Sequence, residues 1–266
     1  PTVFILFRVL GAVVLFWILS LFTGISRFER VDFTRLMVCG LFGVTINQLL
    51  FFHGLNASTP MNAGIIMASN PIMVAVMSFF WLKERLHTTQ WIGIFIGSLG
   101  AIALTTYGSK TVEAKMGDWW LMGNSLSYGV YLIAVKPLMQ KYNPLHVITW
   151  VFTFGAFFMV LFPPLYSDLP HLSLNTIPTA IWLKIVFVVV GVTFLTYLLT
   201  VMGLKYLSST VAAVFIYVQP IFVIAFSYLF YRIGWSADYT HAINQPTLFF
   251  MLIVFVGVYL TSQNKT

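Results

Sequence analysis

Long apolar runs alternate with short polar or proline-containing breaks along the whole sequence, and nine such runs can be marked, at 3–22, 33–52, 60–81, 89–107, 117–138, 145–162, 180–203, 209–231 and 247–262. Most come close to the roughly 20 residues that carry an α-helix across the hydrocarbon core of a bilayer. Strand-like alternation is absent, and the runs are far longer than the roughly 9–11 residues of a barrel strand. The pattern predicts an all-α polytopic membrane protein.

Composition sharpens that picture. Of the 266 residues, 59% are hydrophobic and 8% are charged, against roughly 25% charged in an ordinary soluble domain. A water-soluble fold could not hide that much apolar surface, so the lipid bilayer is the partner expected first. The net charge of +7 comes from 14 Lys and Arg scattered singly among the breaks. They form no basic stripe that could follow a phosphate backbone, which argues against nucleic acid. With residue 1 placed outside, Arg27, Arg30, Arg35, Lys83, Arg85, Lys136, Lys141, Lys205 and Lys265 fall inside, and Lys110, Lys115, Lys184 and Arg232 fall outside. The inward excess fits the positive-inside rule and a multi-pass protein of the cell inner (plasma) membrane. Trp81, Trp91, Trp119, Trp120 and Trp182 lie near predicted span ends, where amphipathic rings sit at headgroup level. The single cysteine, Cys39, leaves no intrachain disulfide and no cysteine metal cluster. No metal or cofactor is expected.

The chain also repeats itself. Asn47 to Trp81 aligns without a gap on Thr196 to Phe230 at a constant shift of 149. This pairs Gly54-Leu55 with Gly203-Leu204, Ala63 with Ala212, Pro71-Ile72 with Pro220-Ile221, and Ser78 with Ser227. Each copy has a helix ending in Gly-Leu, a Ser/Thr turn, and a helix broken by a central Pro that an amide precedes. The copies lie five spans apart, and an odd separation turns the second upside down relative to the first, the plan of many transporters. Pro144 opens its span as Pro1 opens the first, and the run 117–138 has no counterpart before Pro1. The expectation is an inverted repeat of two five-helix halves, 1–110 and 117–266, on a ten-helix plan of which nine are present here. About one helix of sequence is expected before Pro1.

At this point the chain resembles the EamA-type branch of the drug/metabolite transporter superfamily, over essentially its full length. PTVFILFRVLGAVVLFW resembles that family's second helix; SNPIMVAVMSFFWLKERLHTTQWIGIFIGSLGAIAL resembles the fourth and fifth, with the Lys-Glu-Arg-Leu turn between them; GDWWLMGNSLSYGVYLIAVKPLM resembles the sixth. The second half departs where Arg232-Ile233-Gly234-Trp235 replaces the acidic turn and the loop SADYTHAINQP follows, so any role for that turn rests on Glu84 alone. The resemblance implies a substrate path between the halves that opens alternately to either side. It implies transport of a small molecule, amino acids, sugar phosphates or nucleotide sugars among the cargoes.

Polar groups inside a bilayer are costly and face protein or a water-filled cavity. Asn124, Tyr128 and Tyr131 fall at i, i+4 and i+7 on one helix face, with Ser127 beside it; Asn47 and Gln48 sit mid-span, with Thr196 and Tyr197 as their repeat partners. Asn70 and Gln219 precede the paired prolines, and Tyr217 is close by. Converging, these would form a polar and aromatic pocket suited to a small zwitterion or an aromatic metabolite. The competing reading is that amides and hydroxyls simply join helices or satisfy carbonyls freed at a kink. Arg8 lies roughly 10 Å along its helix at 1.5 Å per residue. It can hold a substrate carboxylate or phosphate, or pair structurally with carbonyls or an acid, and the structural role weighs more. Lys136 is expected to snorkel, and a Gly93, Gly97, Gly100 series to pack within the bundle. Pro71 and Pro220 are the candidate gates.

An enzyme would show paired acids, a His and acid cluster or an activated Ser, and none is visible; a channel would not need matched mid-helix prolines. The expectation is a small-metabolite transporter, an exporter of amino acids for instance, acting by alternating access as a monomer or weak dimer. A sugar-phosphate or nucleotide-sugar carrier is the alternative. That would want several deep cations, and Arg8 is the only deeply placed one.

Overall fold

The computed structural model describes residues 2–24, 28–58, 60–106, 115–163, 166, 178–232 and 245–263. Arg27, Lys110, Lys265, Ile233-Gly234-Trp235 and most of the SADYTHAINQP loop lie outside the described residues, as do the side chains of Pro220 and Ser227.

Over nearly all of their described residues the nine apolar runs are helical. The elements are α1 (Thr2–Thr23), α2 (Arg30–Asn56), α3 (Pro60–Ala68), α4 (Asn70–Trp81), α5 (Thr88–Thr106), α6 (Met116–Lys141), α7 (Pro144–Val160), α8 (Thr179–Phe187, Val188–Leu195 and Thr196–Tyr206 in succession), α9 (Ser209–Val214), α10 (Gln219–Arg232) and α11 (Gln245–Ser262). Among the described residues there is no strand. Four stretches, Thr2–Thr23, Arg30–Asn56, Asn62–Trp81 and Ile181–Tyr206, are long and apolar enough to cross a membrane.

Helix ends sit where local chemistry puts them. Gly24, at φ +75°, takes the left-handed conformation that follows α1. Asn143 caps α7 by accepting from the Leu145 N–H at 3.0 Å, and Pro144 occupies the first turn, where its missing N–H costs nothing. The two copies of the repeat also share two irregularities. A π-helical stretch occupies Leu41–Ile46 in α2 and Val188–Leu195 in α8. The proline-bearing span is interrupted at Ser69 between α3 and α4, and by a 3-10 turn at Phe215–Val218 between α9 and α10. At the shift of 149, Leu41–Ile46 falls on 190–195 and Asn70 on Gln219, so both irregularities recur in register.

The chain divides into two compact units. Pro1–His53 and Leu126–Leu207 form the first; Gly54–Ser125 and Ser208–Thr266 form the second.

In the first unit, Ile5, Val9, Ala12 and Phe16 make a fully buried stripe at helical spacing along α1. Phe16 meets Phe152 of α7 with ring centroids 5.0 Å apart. Polar bonds reinforce the pair: Trp17 Nε1 donates to Thr153 Oγ1 at 3.0 Å, and the Ser20 and Thr149 hydroxyls lie 2.8 Å apart. Lipid tails are as apolar as leucine, so close packing and such interhelical bonds hold membrane helices together. Against α7, α2 packs backbone to backbone, and a Cβ on Gly40 would lie 2.8 Å from Gly155 N. Lys136 does not snorkel away from the protein; its ammonium donates to the carbonyls of Leu204 (2.6 Å) and Leu207, capping the C-terminus of α8. Where α6 ends, the Lys141 ammonium lies 2.7 Å from both Asp32 and Glu29. Hydrogen bonds to Asp32 and then Glu29 raise its pKa above the ordinary lysine value.

In the second unit, α5 and α11 meet through glycine. A Cβ on Gly257 would lie 2.5 Å from Gly97 Cα and 2.8 Å from Gly93 O. The Gly93 series thus packs within the chain. Gln90 Nε2 donates to the Thr261 carbonyl at 3.2 Å beside this contact. The start of α6 is clasped by Asp118, whose carboxylate accepts from Ser58 Oγ, from Asn62 Nδ2 at 2.9 Å and from the Lys115 N–H at 2.8 Å. Glu84, the acid of the Lys-Glu-Arg turn, accepts from Thr210 Oγ1 at 3.4 Å, joining the end of α4 to α9.

Candidate functional site

A π turn puts a carbonyl out of register with the ordinary α ladder, and such turns recur at functional sites. In the first unit the π stretch of α2 has its backbone oxygens met by side chains: Ser127 Oγ donates to Phe42 O at 2.6 Å and Tyr197 Oη to Gly43 O at 3.3 Å. In the π stretch of α8, Thr193 Oγ1 donates to Val188 O at 2.9 Å. That same hydroxyl oxygen accepts from Arg8 Nε at 2.5 Å.

Arg8 is thereby fixed against α8, and its guanidinium carbon stands 5.5 Å from the centroid of Phe52, a cation–π arrangement. Among the described residues no carboxylate pairs with it, and its two terminal nitrogens make no hydrogen bond. Gln48 is 2% exposed; its Nε2 donates to Tyr197 Oη at 3.4 Å, while its Oε1 has no hydrogen-bond partner among the described residues. Tyr197 also packs edge-on against Phe152, centroids 4.8 Å apart. Tyr131 is fully buried with a hydroxyl that has no hydrogen-bond partner among the described residues, and its ring lies 6.2 Å from that of Tyr128. The Tyr131 ring fills the space a side chain on Gly43 would need. Asn47 is half-buried and engaged.

Of the ten substrate-binding candidates, the structure gathers Arg8, Gln48, Tyr128, Tyr131 and Tyr197, with Asn47, in the first unit. It adds Thr193, which sequence reasoning missed; the signal was a lone hydroxyl in the run VVVGVTFL. In the second unit, Asn124 is buried and engaged, and Asn70 is buried with an Oδ1 that has no hydrogen-bond partner among the described residues. Tyr217 is buried, donating from Oη to Ile94 O at 3.4 Å and lying against Gly97, which reads as packing. Gln219 is exposed at the start of α10. Pro71 is buried in the first turn of α4, and Pro220 occupies the equivalent place in α10.

Among the described residues no three His, Cys, Asp or Glu side chains come together. Among the described residues the gathered groups comprise a cation whose Nη1/Nη2 edge makes no hydrogen bond, an amide oxygen without a partner and three tyrosine rings.

The EamA-like transporter family matches residues 1–106 and 115–263. The chain is 27% identical over 224 residues, 82% of its length and 73% of the other, to YyaM, an uncharacterized transporter of Bacillus subtilis. It is 24% identical to an uncharacterized transporter of Archaeoglobus fulgidus, over 91% of this chain and 80% of that one. A probable terminal-alkyne amino-acid exporter of Streptantibioticus cattleyicolor is 25% identical over 157 residues, 59% of this chain and 51% of that one. A crystal structure superposes with a TM-score of 0.75 at 17% identity, covering 98% of this chain and 86% of its own, which extends the likeness to the fold. The chain belongs to the EamA-like transporter family and is an all-α membrane protein.

Proposed function

We propose that this transporter exports small carboxylate-bearing metabolites, amino acids foremost, across the cell inner membrane by alternating access. The observation that carries the reading is Arg8, a cation deep in α1 that Thr193 and Phe52 position without a carboxylate partner among the described residues. Its Nη1/Nη2 edge, which makes no hydrogen bond among the described residues, matches a carboxylate in bidentate fashion. Gln48 Oε1 supplies an acceptor for a substrate ammonium, and Tyr128, Tyr131 and Tyr197 supply aromatic walls. One cation suits one carboxylate, where a phosphorylated cargo would ask for more. The Streptantibioticus cattleyicolor relative, a probable amino-acid exporter by name, supports the same cargo class.

The halves 1–110 and 117–266 are read as inverted copies. Supporting this, Gln48 and Tyr197 are equivalent under the shift of 149, and they hydrogen bond to each other. Two equivalent residues of a two-fold repeat can touch only at its axis. The interruptions at Pro71 and Pro220 are the gates in this reading, and Asn47 is a further substrate contact within the first unit. The transporter acts as a monomer or weak dimer.

The test is expression of the full-length gene in a bacterium and mass spectrometry of extracellular metabolites against an empty-vector strain. One or a few amino acids should accumulate, and Arg8→Gln should abolish the effect while Arg8→Lys keeps part of it. Accumulation undiminished in Arg8→Gln, with protein confirmed in the membrane, would overturn the assignment of the carboxylate site.

A further inference from the structure

A cavity of about 580 Å³ opens in the first unit, between the last turn of α1, the turn joining α6 to α7, and the last two turns of α8. Its chemistry is divided. Leu145, Leu198 and Met202 give it an apolar wall, while Lys141 and Lys205 stand at its edge with Tyr206. Leu198, Met202 and Lys205 follow one another at i, i+4 and i+7 on α8, so the apolar stripe leads roughly 10 Å up to a cation at 1.5 Å per residue.

The two lysines differ. Lys141 is held between Glu29 and Asp32, each at 2.7 Å, and its charge is spent on them. Lys205 is exposed, lies 6.0 Å from the centroid of the Tyr206 ring, and has no carboxylate partner among the described residues. Among the described residues the cavity therefore presents one positive charge without a carboxylate partner, above an apolar trough. It lies at the helix ends where Arg30, Arg35, Lys136, Lys141 and Lys205 gather, the side on which the positive-inside rule puts the cytoplasm. None of the groups proposed for export lines it.

We propose that this cavity is a binding site for an anionic phospholipid of the adjoining leaflet, its phosphate on Lys205 and the upper part of one acyl chain along Leu198, Met202 and Leu145. A soluble anion would leave the apolar wall against water, and a zwitterionic lipid would bring its own cation towards Lys205. A headgroup of net charge −1 complements both parts, in keeping with the basic pockets that bind anionic headgroups on the cytoplasmic side of helical membrane proteins.

The experiment is native mass spectrometry of the purified full chain titrated with phosphatidylglycerol or phosphatidylcholine of the same acyl chains. Phosphatidylglycerol should be retained about fivefold better, the effect of one lysine facing an anionic headgroup. Lys205→Ala should remove the preference and Lys205→Arg should keep it. Leu198→Trp, which fills the trough, should lower retention of phosphatidylglycerol, and glycerol phosphate should not compete. Equal retention of the two lipids by the parent chain, an undiminished preference in Lys205→Ala, or displacement by glycerol phosphate would each overturn the proposal, the last by showing a site for a free anion.

Discussion

Replacing Gly257 with alanine adds one methyl group to α11 where it touches α5. That methyl would arrive 2.5 Å from Gly97 Cα, 2.8 Å from Gly93 O and closer still to Gly97 N. All three are backbone atoms, so no side chain can turn aside; the helices must part by about 1 Å to restore contact near 3.5 Å. Parting them stretches the Gln90–Thr261 hydrogen bond and thins the contact along the Gly93, Gly97, Gly100 face. Overpacking of this kind costs about 1–3 kcal/mol. The absence of flexible neighbours puts the expected value at the upper end, about 3 kcal/mol, or a melting temperature lower by roughly 6–12 °C at 2–4 °C per kcal/mol. Gly203 in α8 is the internal control, because a Cβ there meets nothing within 4 Å. Gly203→Ala should stabilise by about 0.5–1 kcal/mol through helix propensity alone. Both variants can be read by thermal unfolding of purified protein in detergent. A Gly257→Ala protein melting with the parent chain would refute the close α5–α11 contact, and a destabilised Gly203→Ala would refute the open space beside α8.

Other consequences can be checked with the same preparation. Asp118→Ala removes the acceptor shared by Ser58 Oγ, Asn62 Nδ2 and the Lys115 N–H and should cost about 1–3 kcal/mol, lowering the melting temperature while leaving the concentration dependence of transport unchanged. Lys136→Met uncaps α8 and should cost about 1–2 kcal/mol, with faster amide hydrogen exchange at Leu204–Leu207 as its local mark. The raised pKa of Lys141 adds stability that is fully present below the unfolded value near 10.4 and is lost as pH rises through the folded one. The melting difference between parent and Lys141→Met should therefore be constant from pH 7 to about 9 and shrink above roughly 10.5. If the prolines act as the proposed gates, Pro71→Ala and Pro220→Ala should slow transport without lowering melting temperature; unchanged transport kinetics in a well-folded double variant would withdraw that role.

The spans were legible because lipid makes hydrophobicity the dominant local signal, and the broken helices because proline cannot donate within a ladder and clashes with the preceding turn. Gly93 and Gly97 could be read as a contact surface, since small residues at four-residue spacing let backbones approach. The partner, Gly257, could not, because nothing in a single sequence says which helix lies opposite. The candidate site was legible as residue types: Arg8, Gln48 and Tyr197 stood out as polar groups in apolar runs. What gathers them was not. The π stretches carry no compositional mark, since LFGVTI and VVVGVTFL are ordinary apolar text. Thr193 was passed over for the same reason, a hydroxyl being the cheapest polar group to bury beside a carbonyl five residues back. Lys136 was misjudged because its acceptors, Leu204 and Leu207, lie 68 and 71 residues away.

A π turn amounts to about one extra residue wound into an α-helix, and one residue is about 100° of helical phase. Everything after Ile46 in α2 is therefore turned by that angle relative to an uninterrupted helix, and so is everything after Leu195 in α8. Gln48 and Tyr197 each lie just past such a step, so their meeting depends on two matched insertions as well as on their own chemistry. Deleting one residue from Leu41–Ile46 would shorten the helix by a single apolar position and leave its hydropathy nearly unchanged. It would nonetheless swing Gln48 away from Tyr197 while leaving Arg30 to Gly40 where they were. Deleting a residue from Val188–Leu195 as well would rotate both partners, making α2 and α8 a lock whose two halves were cut by the same error in counting.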